Sequence, residues 1–323
     1  MDYVPFGRTG LTVSVAGLGC GGNSRLGLGK GKSEAEATTL VRAAYDLGVT
    51  LFDTAEAYGT EGVVGEAARQ IGRDRVVIAS KCRMRVGEDL ISAAQFQAKL
   101  EATLTALGTD YVDIYQLHAV TPAMYEHVAS ELVPAMQEAK RQGKLRHIGL
   151  TETSPHDHHQ KMLQRALQDD VWESAMLGFH MLNQGARQDV FPLTRAKGVG
   201  TLLMFVVRNI FSQPGLLQQT VCELAAKGQL PQAIADDPEP LDFLIHEGGA
   251  LSIIDAAYRF ARHEPGADVT LFGTSETAHL EANIASILRP PLPEADRRRL
   301  AETFGHLRGV GLDLPGRVKP AAS

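Results

Sequence analysis

Four side chains suited to proton transfer follow three short apolar segments in the first half of the chain. Asp53 ends one segment and Tyr58 comes five residues later, Lys81 ends the next segment, and His118 ends the third. A phenol has an unperturbed pKa near ~10, which a nearby ammonium group lowers. A carboxylate would hold that ammonium in place, and an imidazole could hydrogen-bond the same reacting oxygen. Such a set can give a proton to a carbonyl oxygen during reduction, or take one from an alcohol during oxidation.

The elements that must position these residues alternate regularly along the chain. The predicted strands are Val15–Gly19, Val49–Asp53, Val76–Lys81, Tyr111–Leu117, Leu145–Leu150, Ala175–Gly178, Gly200–Val207 and Val269–Phe272. The predicted helices that follow them are Ser33–Leu47, Gly62–Ile71, Ile91–Leu107, Ala129–Gln142, Pro155–Leu167, Asp189–Lys197, Leu251–His263 and Thr277–Leu288. Short, wholly apolar strands that alternate with helices predict a parallel sheet covered by helices. Eight such units favour an α/β fold of the closed (β/α)₈ TIM-barrel type, with residues 1–323 as one domain. An open doubly wound sheet is the alternative, but no Gly-x-Gly-x-x-Gly motif follows the first strand.

Three segments lie outside this repeat. Tyr3–Phe6 and Leu11–Ser14, joined by a Gly-rich turn, predict an N-terminal β-hairpin cap. A long loop at 209–249 after strand seven, with a short helix at Leu216–Lys227, is interpreted as a lid over the barrel mouth or as a surface excursion. The tail contains one more predicted helix, Glu294–Phe304, and then a loose end.

Barrel enzymes place their chemistry at the carboxyl ends of the strands. Asp53, Lys81 and His118 end three consecutive predicted strands, and Tyr58 lies in the loop after the first of these. Taken singly, each residue type is more often a solvated, packing or structural residue. Four together on one rim predict a catalytic site.

The sequence resembles the aldo-keto reductases over nearly the whole chain, as a divergent bacterial-type member close to the branch of aldose and L-galactose dehydrogenases. The resemblance is carried by Phe6-Gly7-Arg8-Thr9-Gly10-Leu11-Thr12-Val13-Ser14, Gly17-Leu18-Gly19, Phe52-Asp53-Thr54-Ala55-Glu56-Ala57-Tyr58-Gly59, Ser80-Lys81, Asp110-Tyr111-Val112-Asp113-Ile114-Tyr115-Gln116-Leu117-His118 and Gly143-Lys144-Leu145-Arg146-His147-Ile148-Gly149-Leu150. It implies a (β/α)₈ barrel, hydride transfer with NADP(H) or NAD(H), and a tetrad of Asp53, Tyr58, Lys81 and His118. Tyr58 would be the general acid and base for an aldehyde, ketone or sugar lactol and the matching alcohol or lactone.

The resemblance also implies the cofactor contacts, some of which depart from the family pattern. The implied residues are Gly19, Cys20, Asp53, Thr151, Glu152, Met176, Met204, Phe205, Arg208, Gly273, Thr274, Ser275, His279 and Asn283. Thr151 and Glu152 stand where Ser-Asn commonly holds the nicotinamide carboxamide, and an ionised Glu cannot donate. Met176 stands where a Gln is usual, and Met204 or Phe205 would supply an apolar face in place of a stacking Tyr. Arg208 could reach the pyrophosphate or pair with an acidic neighbour at the rim.

The expected phosphate site is Gly273-Thr274-Ser275 before the last repeat helix, where backbone N–H groups and the helix dipole favour an anion. Asn283 matches an adenine-contacting position of the family. Ser275 replaces the Arg or Lys that many NADPH-preferring members use for the 2′-phosphate, and Glu276 adds a negative charge. A charge-assisted hydrogen bond is worth about 1.5–3 kcal/mol, so its loss predicts dual or relaxed cofactor use with NAD(H) as a candidate.

Composition and motifs weigh against other classes. The net charge of −6, without a basic run, disfavours nucleic acid as a partner, and no apolar stretch predicts a membrane span. Three scattered cysteines and the absence of a signal-peptide pattern at the amino terminus favour a reducing, cytoplasmic setting. The sequence His156-Asp157-His158-His159 leaves a metal-dependent hydrolase as a remote alternative, although a polar helix start explains it better. A non-catalytic, nicotinamide-binding regulatory protein of the same fold is a second alternative.

The residues of the expected substrate pocket give no decisive signal about the substrate, and a small carbonyl compound and a sugar both fit. Arg83 and Arg85, just past Lys81, hint at a polar or anionic substrate, but solvated rim charges explain them equally well. Sequence patterns leave the oligomeric state open.

Overall fold

The computed structural model describes residues 1–312, so part of the predicted loose end, residues 313–323, lies outside the described residues. The strands are β1 Tyr3–Pro5, β2 Thr12–Ser14, β3 Ala16–Gly19, β4 Leu51–Asp53, β5 Val77–Arg83, β6 Arg85–Val86, β7 Asp89–Leu90, β8 Val112–Val120, β9 Leu145–Glu152, β10 Ser174–Gly178, β11 Gly200–Met204 and β12 Val269–Phe272. Eight parallel strands close a barrel in the order β10-β11-β12-β3-β4-β5-β8-β9. Closure pairs the last strand with the first, with Thr270 opposite Ala16 and Phe272 opposite Leu18. The predicted TIM barrel is confirmed.

Helices cover the outside of the barrel. They are α1 Glu34–Asp46, α2 Glu61–Ile71, α3 Ala93–Leu107, α4 Tyr125–His127, α5 Val133–Arg141, α6 Lys161–Ala166, α7 Ala186–Asp189, α8 Phe191–Lys197, α9 Asn209–Ser212, α10 Leu216–Ala226, α11 Gln232–Ala235, α12 Ile253–Arg262, α13 Thr277–Leu288 and α14 Glu294–Phe304. A π turn at Val128–Leu132 joins α4 to α5. The predicted capping box of α1 is present. The Ser33 side chain accepts a hydrogen bond from the Glu36 backbone N–H, and the Glu36 carboxylate accepts one from the Ser33 backbone N–H.

The N-terminal hairpin closes the amino end of the barrel. β1 and β2 pair antiparallel, as predicted. The loop between them inserts Phe6, which is fully buried among apolar side chains pointing into the barrel, including Val13, Leu51 and Ile114. The ring lies against the first residue of β11, since a Cβ on Gly200 would fall 2.6 Å from Phe6 Cε1. Because the hairpin covers the amino end, a site that is open to solvent must lie at the opposite, carboxyl end of the barrel.

Several predicted boundaries are wrong. β8 ends at Val120 rather than Leu117, and the helix predicted from Ala129 begins at Tyr125. Two others are wrong for clear local reasons. β11 ends at Met204 rather than Val207, because Phe205 takes a left-handed backbone conformation with φ 64°, which a strand cannot continue through. α6 begins at Lys161 rather than Pro155, because a 3₁₀ turn at Ser154–His156 and a left-handed Gln160 precede it.

The long excursion after β11 is more ordered than the sequence indicates. It contains α9, α10, α11 and a 3₁₀ turn at Asp242–Leu244, whereas only the helix near α10 was predicted. Leu230 and Leu244 of this segment are buried in the main core. Within residues 1–312, no helix combines the length and apolarity needed to cross a membrane.

Candidate active site

The four predicted residues meet at the carboxyl end of the barrel. Asp53 is the last residue of β4, Tyr58 ends a 3₁₀ turn at Glu56–Tyr58, and Lys81 and His118 lie on β5 and β8. Lys81 Nζ donates to Asp53 Oδ1 at 2.7 Å and to the backbone oxygen of Thr54 at 2.7 Å. Nζ also lies 4.8 Å from the centroid of the Tyr58 ring. The Tyr58 and His118 rings meet edge to face, with centroids 5.6 Å apart.

Burial decides the charge states of this group. Burial raises the pKa of Tyr58, and this outweighs the lowering effect of Lys81. The sequence-based expectation of a lowered phenol pKa is therefore wrong in its net direction. Burial opposes the charged form of Lys81 too, but Asp53 raises its pKa overall and keeps the ammonium protonated. Burial, Lys81 and Arg83 lower the pKa of His118 to about 3, so its imidazole is neutral near pH 7. The site thus presents a protonated phenol beside a fixed cation and a neutral imidazole.

A cavity of about 880 Å³ opens above these side chains. The expected cofactor contacts that line it are Gly19, Asp53, Thr151, Glu152, Met176, Met204, Phe205, Arg208 and Gly273. Cys20 lies behind this wall, fully buried, with its backbone N–H on the Asp53 oxygen at 2.7 Å. Thr274 and Ser275 are buried just past Gly273, whereas His279 is exposed and Asn283 half-buried on α13.

The end of β9 forms one wall of the cavity. Thr151 Oγ1 accepts a hydrogen bond from the Ala119 N–H at 2.7 Å and makes only a long 3.5 Å contact with the Glu152 oxygen, so its hydroxyl can still donate. Glu152, 2% exposed, accepts from the Gly178 N–H at 2.6 Å and from Gln160 Nε2 at 3.3 Å. Glu152 therefore presents acceptors where the family pattern has an amide.

Strained backbone is concentrated around this cavity. Within residues 1–312, the non-glycine residues with positive φ are Arg25, Leu26, Ala119, Gln160 and Phe205. Arg25, Ala119 and Phe205 line the cavity, and Gln160 contacts Glu152. Phe205 lies under the Arg208 guanidinium, 4.6 Å from the ring centroid. Left-handed conformations of such residues persist where the surrounding structure enforces them, most often at functional sites.

The loop after β3 brings two lysines to the expected phosphate site. Lys30 Nζ lies 3.1 Å from Ser275 Oγ, and Lys32 Nζ donates to the Ser275 backbone oxygen at 2.6 Å. Lys32 also pairs with Glu276 Oε1 at 3.0 Å and thereby lowers the pKa of that carboxyl. The sequence-based reasoning missed these lysines because it sought the cation at position 275. The available signal was barrel closure, which places the loops after the first and eighth strands side by side.

The His-rich segment has a structural explanation. Asp157 accepts hydrogen bonds from the Lys161 and Met162 N–H groups at 3.0 and 2.8 Å, at the start of α6. His158 Nε2 contacts the Pro155 oxygen at 3.1 Å, and His156 is exposed. In the part of the chain that the structure describes, no cluster of His, Cys, Asp and Glu side chains is arranged to hold a metal ion.

Comparison with known proteins agrees with the geometry. The model of the aldo/keto reductase family matches residues 17–303. The chain is 28% identical to L-galactose dehydrogenase of Arabidopsis thaliana over 311 residues, which cover 94% of this chain and 93% of that protein. It is 28% identical to the NADH-specific methylglyoxal reductase of Escherichia coli over 68% of this chain and 70% of that protein. The holo form of an aldo-keto reductase from Bacillus halodurans shares the fold, with a TM-score of 0.72 at 21% identity over 97% of this chain and 100% of that chain. The chain therefore belongs to the aldo/keto reductase family, whose members are NAD(P)(H)-dependent oxidoreductases of carbonyl compounds.

Proposed function

We propose that this chain interconverts a carbonyl compound, or a sugar lactol, with its alcohol or lactone, and that Tyr58 moves the proton. One observation carries the proposal: a phenol and a neutral imidazole line one cavity at the carboxyl end of the barrel, and a paired ammonium is buried next to the phenol. A nicotinamide cofactor, when bound, supplies or accepts the hydride.

Each residue of the tetrad has a distinct role. In reduction, the Tyr58 hydroxyl donates its proton to the carbonyl oxygen as the charge on that oxygen rises. Lys81 stabilises the phenolate that remains, and Asp53 holds the ammonium in place through the 2.7 Å contact. The neutral His118 ring hydrogen-bonds and orients the reacting oxygen. In oxidation the phenolate takes the alcohol proton, and every role reverses.

The cavity residues fit a nicotinamide dinucleotide. Thr151 can donate to the carboxamide oxygen, and Met176 and Phe205 offer apolar surface to the ring. Gly273 lines the cavity without a side chain, so a ligand can approach its backbone closely. The N–H groups near the start of α13 would hold phosphate oxygens beside Ser275.

The choice between the two cofactors depends on Ser275 and its neighbours. The loss of a cation at position 275 favours NAD(H), and the similarity to an NADH-specific reductase supports this. Lys30 and Lys32 bring two ammonium groups to Ser275 from another loop, against one carboxylate on Glu276. We therefore propose dual cofactor use, with these lysines binding the 2′-phosphate of NADP(H).

A substrate panel with matched variants tests the reaction. Aldehydes, ketones and aldoses are assayed in both directions with both cofactors, and the similarity to L-galactose dehydrogenase places aldoses first. Tyr58→Phe should lower kcat by about a hundredfold or more while cofactor affinity stays within about twofold. Tyr45→Phe, which alters a phenol on α1 far from the tetrad, should behave as wild type.

The outcomes separate the competing functions. Normal turnover by Tyr58→Phe would refute its role as the proton donor. Cofactor binding without turnover of any substrate by the wild type would favour a regulatory, cofactor-binding protein. Stoichiometric zinc in the purified protein would restore the hydrolase alternative.

A further inference from the structure

A second cation faces the cavity directly above Lys81. Side chains alternate along a strand, so Arg83, two residues after Lys81 on β5, points to the same face and about 7 Å nearer the mouth. Arg83 is also the register partner of His118 on β8. Both residues line the cavity that holds Tyr58. The Arg83 side chain therefore borders the cavity near His118, and it is exposed on the solvent side of Lys81.

Arg83 is one of the arginines among residues 1–312 whose side chain has no acidic partner. Its backbone N–H donates to Glu56 Oε2 at 3.0 Å, but within residues 1–312 its side chain makes no ion pair or hydrogen bond. Arg85, two residues further on, instead donates to the Glu88 oxygen within the β6–β7 ribbon. Arg25, on the loop after β3, is a second cavity-lining arginine whose side chain has no hydrogen-bond or ion-pair partner among residues 1–312.

We infer that the substrate carries an anionic group, a carboxylate or a phosphate, a few bonds from its carbonyl or alcohol carbon, and that Arg83 binds this group. The inference rests on the proposed function, because it places the reacting oxygen at Tyr58 and His118. A guanidinium presents paired N–H donors that match carboxylate and phosphate oxygens. The two-residue offset from Lys81 sets the spacing, so short oxo acids, formyl-substituted aromatic acids and phosphorylated sugars fit. Uncharged aldehydes would leave the Arg83 guanidinium without an anionic partner.

Matched substrate pairs test this assignment. 4-Formylbenzoate is compared with 4-formylbenzamide, which has a similar shape without the charge, and glyceraldehyde 3-phosphate is compared with glyceraldehyde. We expect the wild type to favour at least one anionic member by about tenfold or more in kcat/KM, and the preferred pair identifies carboxylate or phosphate. Arg83→Gln should remove that preference, with a loss in kcat/KM about tenfold larger for the preferred anionic member than for its neutral counterpart. Arg85→Gln should change neither.

A binding measurement separates this inference from the proposed reaction. Titration calorimetry of the protein loaded with the reduced cofactor, NAD(P)H, measures the binding of 4-(hydroxymethyl)benzoate and its amide without turnover, because the reduced cofactor cannot accept a hydride from an alcohol. The carboxylate should bind about tenfold tighter, in the wild type and in Tyr58→Phe, but not in Arg83→Gln. Equal affinities, no anion preference in either kinetic pair, or equal losses for both members in Arg83→Gln would overturn the inference. Turnover of neutral aldehydes alone would leave the proposed function standing while this inference fails.

Discussion

Replacing Lys30 and Lys32 together by glutamine should weaken NADP(H) binding without a matching effect on NAD(H). Both ammonium groups contact Ser275, at 3.1 Å from Oγ and 2.6 Å from the backbone oxygen. The only group that distinguishes the two cofactors is the 2′-phosphate. If the lysines bind that phosphate, their loss lowers affinity for one cofactor and leaves the other nearly unchanged.

The magnitude follows from the local charges. Lys32 is already paired with Glu276 at 3.0 Å and is about one-third exposed, whereas Lys30 hydrogen-bonds the Ser275 hydroxyl and forms no ion pair within residues 1–312. Lys30, Lys32 and the Glu276 carboxylate together therefore carry a net charge of about +1. A charge-assisted hydrogen bond contributes about 1.5–3 kcal/mol, and solvent exposure favours the lower end. About 1.5 kcal/mol corresponds to roughly tenfold in the Kd ratio.

Titration calorimetry with NADP⁺ and NAD⁺, and with 2′,5′-ADP and 5′-AMP, measures that ratio directly. The double variant should raise the Kd of NADP⁺ and of 2′,5′-ADP, the members that carry the 2′-phosphate, about tenfold. The difference in Kd between wild type and variant should shrink at high salt. Glu276→Gln serves as the opposite control, because it removes the competing carboxylate and should tighten NADP⁺ binding. Equal losses for both cofactors would refute the assignment and place the lysines on the shared pyrophosphate instead.

Two further substitutions test the chemistry and the packing. Lys81→Met removes the charge that lowers the pKa of Tyr58, so the pH profile of alcohol oxidation should rise at higher pH and kcat should fall by about a hundredfold or more. Steady-state rates across pH check this, and an unshifted profile would exclude Lys81 from control of the phenol. Gly200→Ala places a Cβ 2.6 Å from the confined Phe6 ring and should destabilise the barrel by about 1–3 kcal/mol, measured by urea unfolding. A variant as stable as the wild type would show that the hairpin loop and the Phe6 ring can shift to accommodate the Cβ at little cost in stability.

Much of the architecture follows from local patterns. The alternation of short apolar segments with helical segments predicted all eight barrel strands, since each unit must bury the same kind of surface. It also predicted that the four tetrad residues lie close together, because consecutive parallel strands end on one rim. The capping box at Ser33 and Glu36 was equally local and is present. Boundaries that depend on single backbone conformations, such as the left-handed Phe205, were not predictable from hydrophobic periodicity.

Charge states and long-range neighbours required the folded chain. The sequence identified Tyr58 and Lys81 but predicted the wrong net direction for the phenol pKa, because desolvation depends on complete burial. Arg83 and Arg85 look equivalent in the sequence, yet one faces the cavity and the other binds a ribbon carbonyl.

By itself, the sequence determined the barrel and the meeting of Asp53, Tyr58, Lys81 and His118 at one edge, because neighbouring strands deliver them there. Only the tertiary structure decided what surrounds them. Lys30 and Ser275 are 245 positions apart, and they meet because β12 pairs with β3 when the barrel closes. Closure is a global property of eight strands, so the charge at the expected phosphate site could not be derived from the residues next to it in the chain.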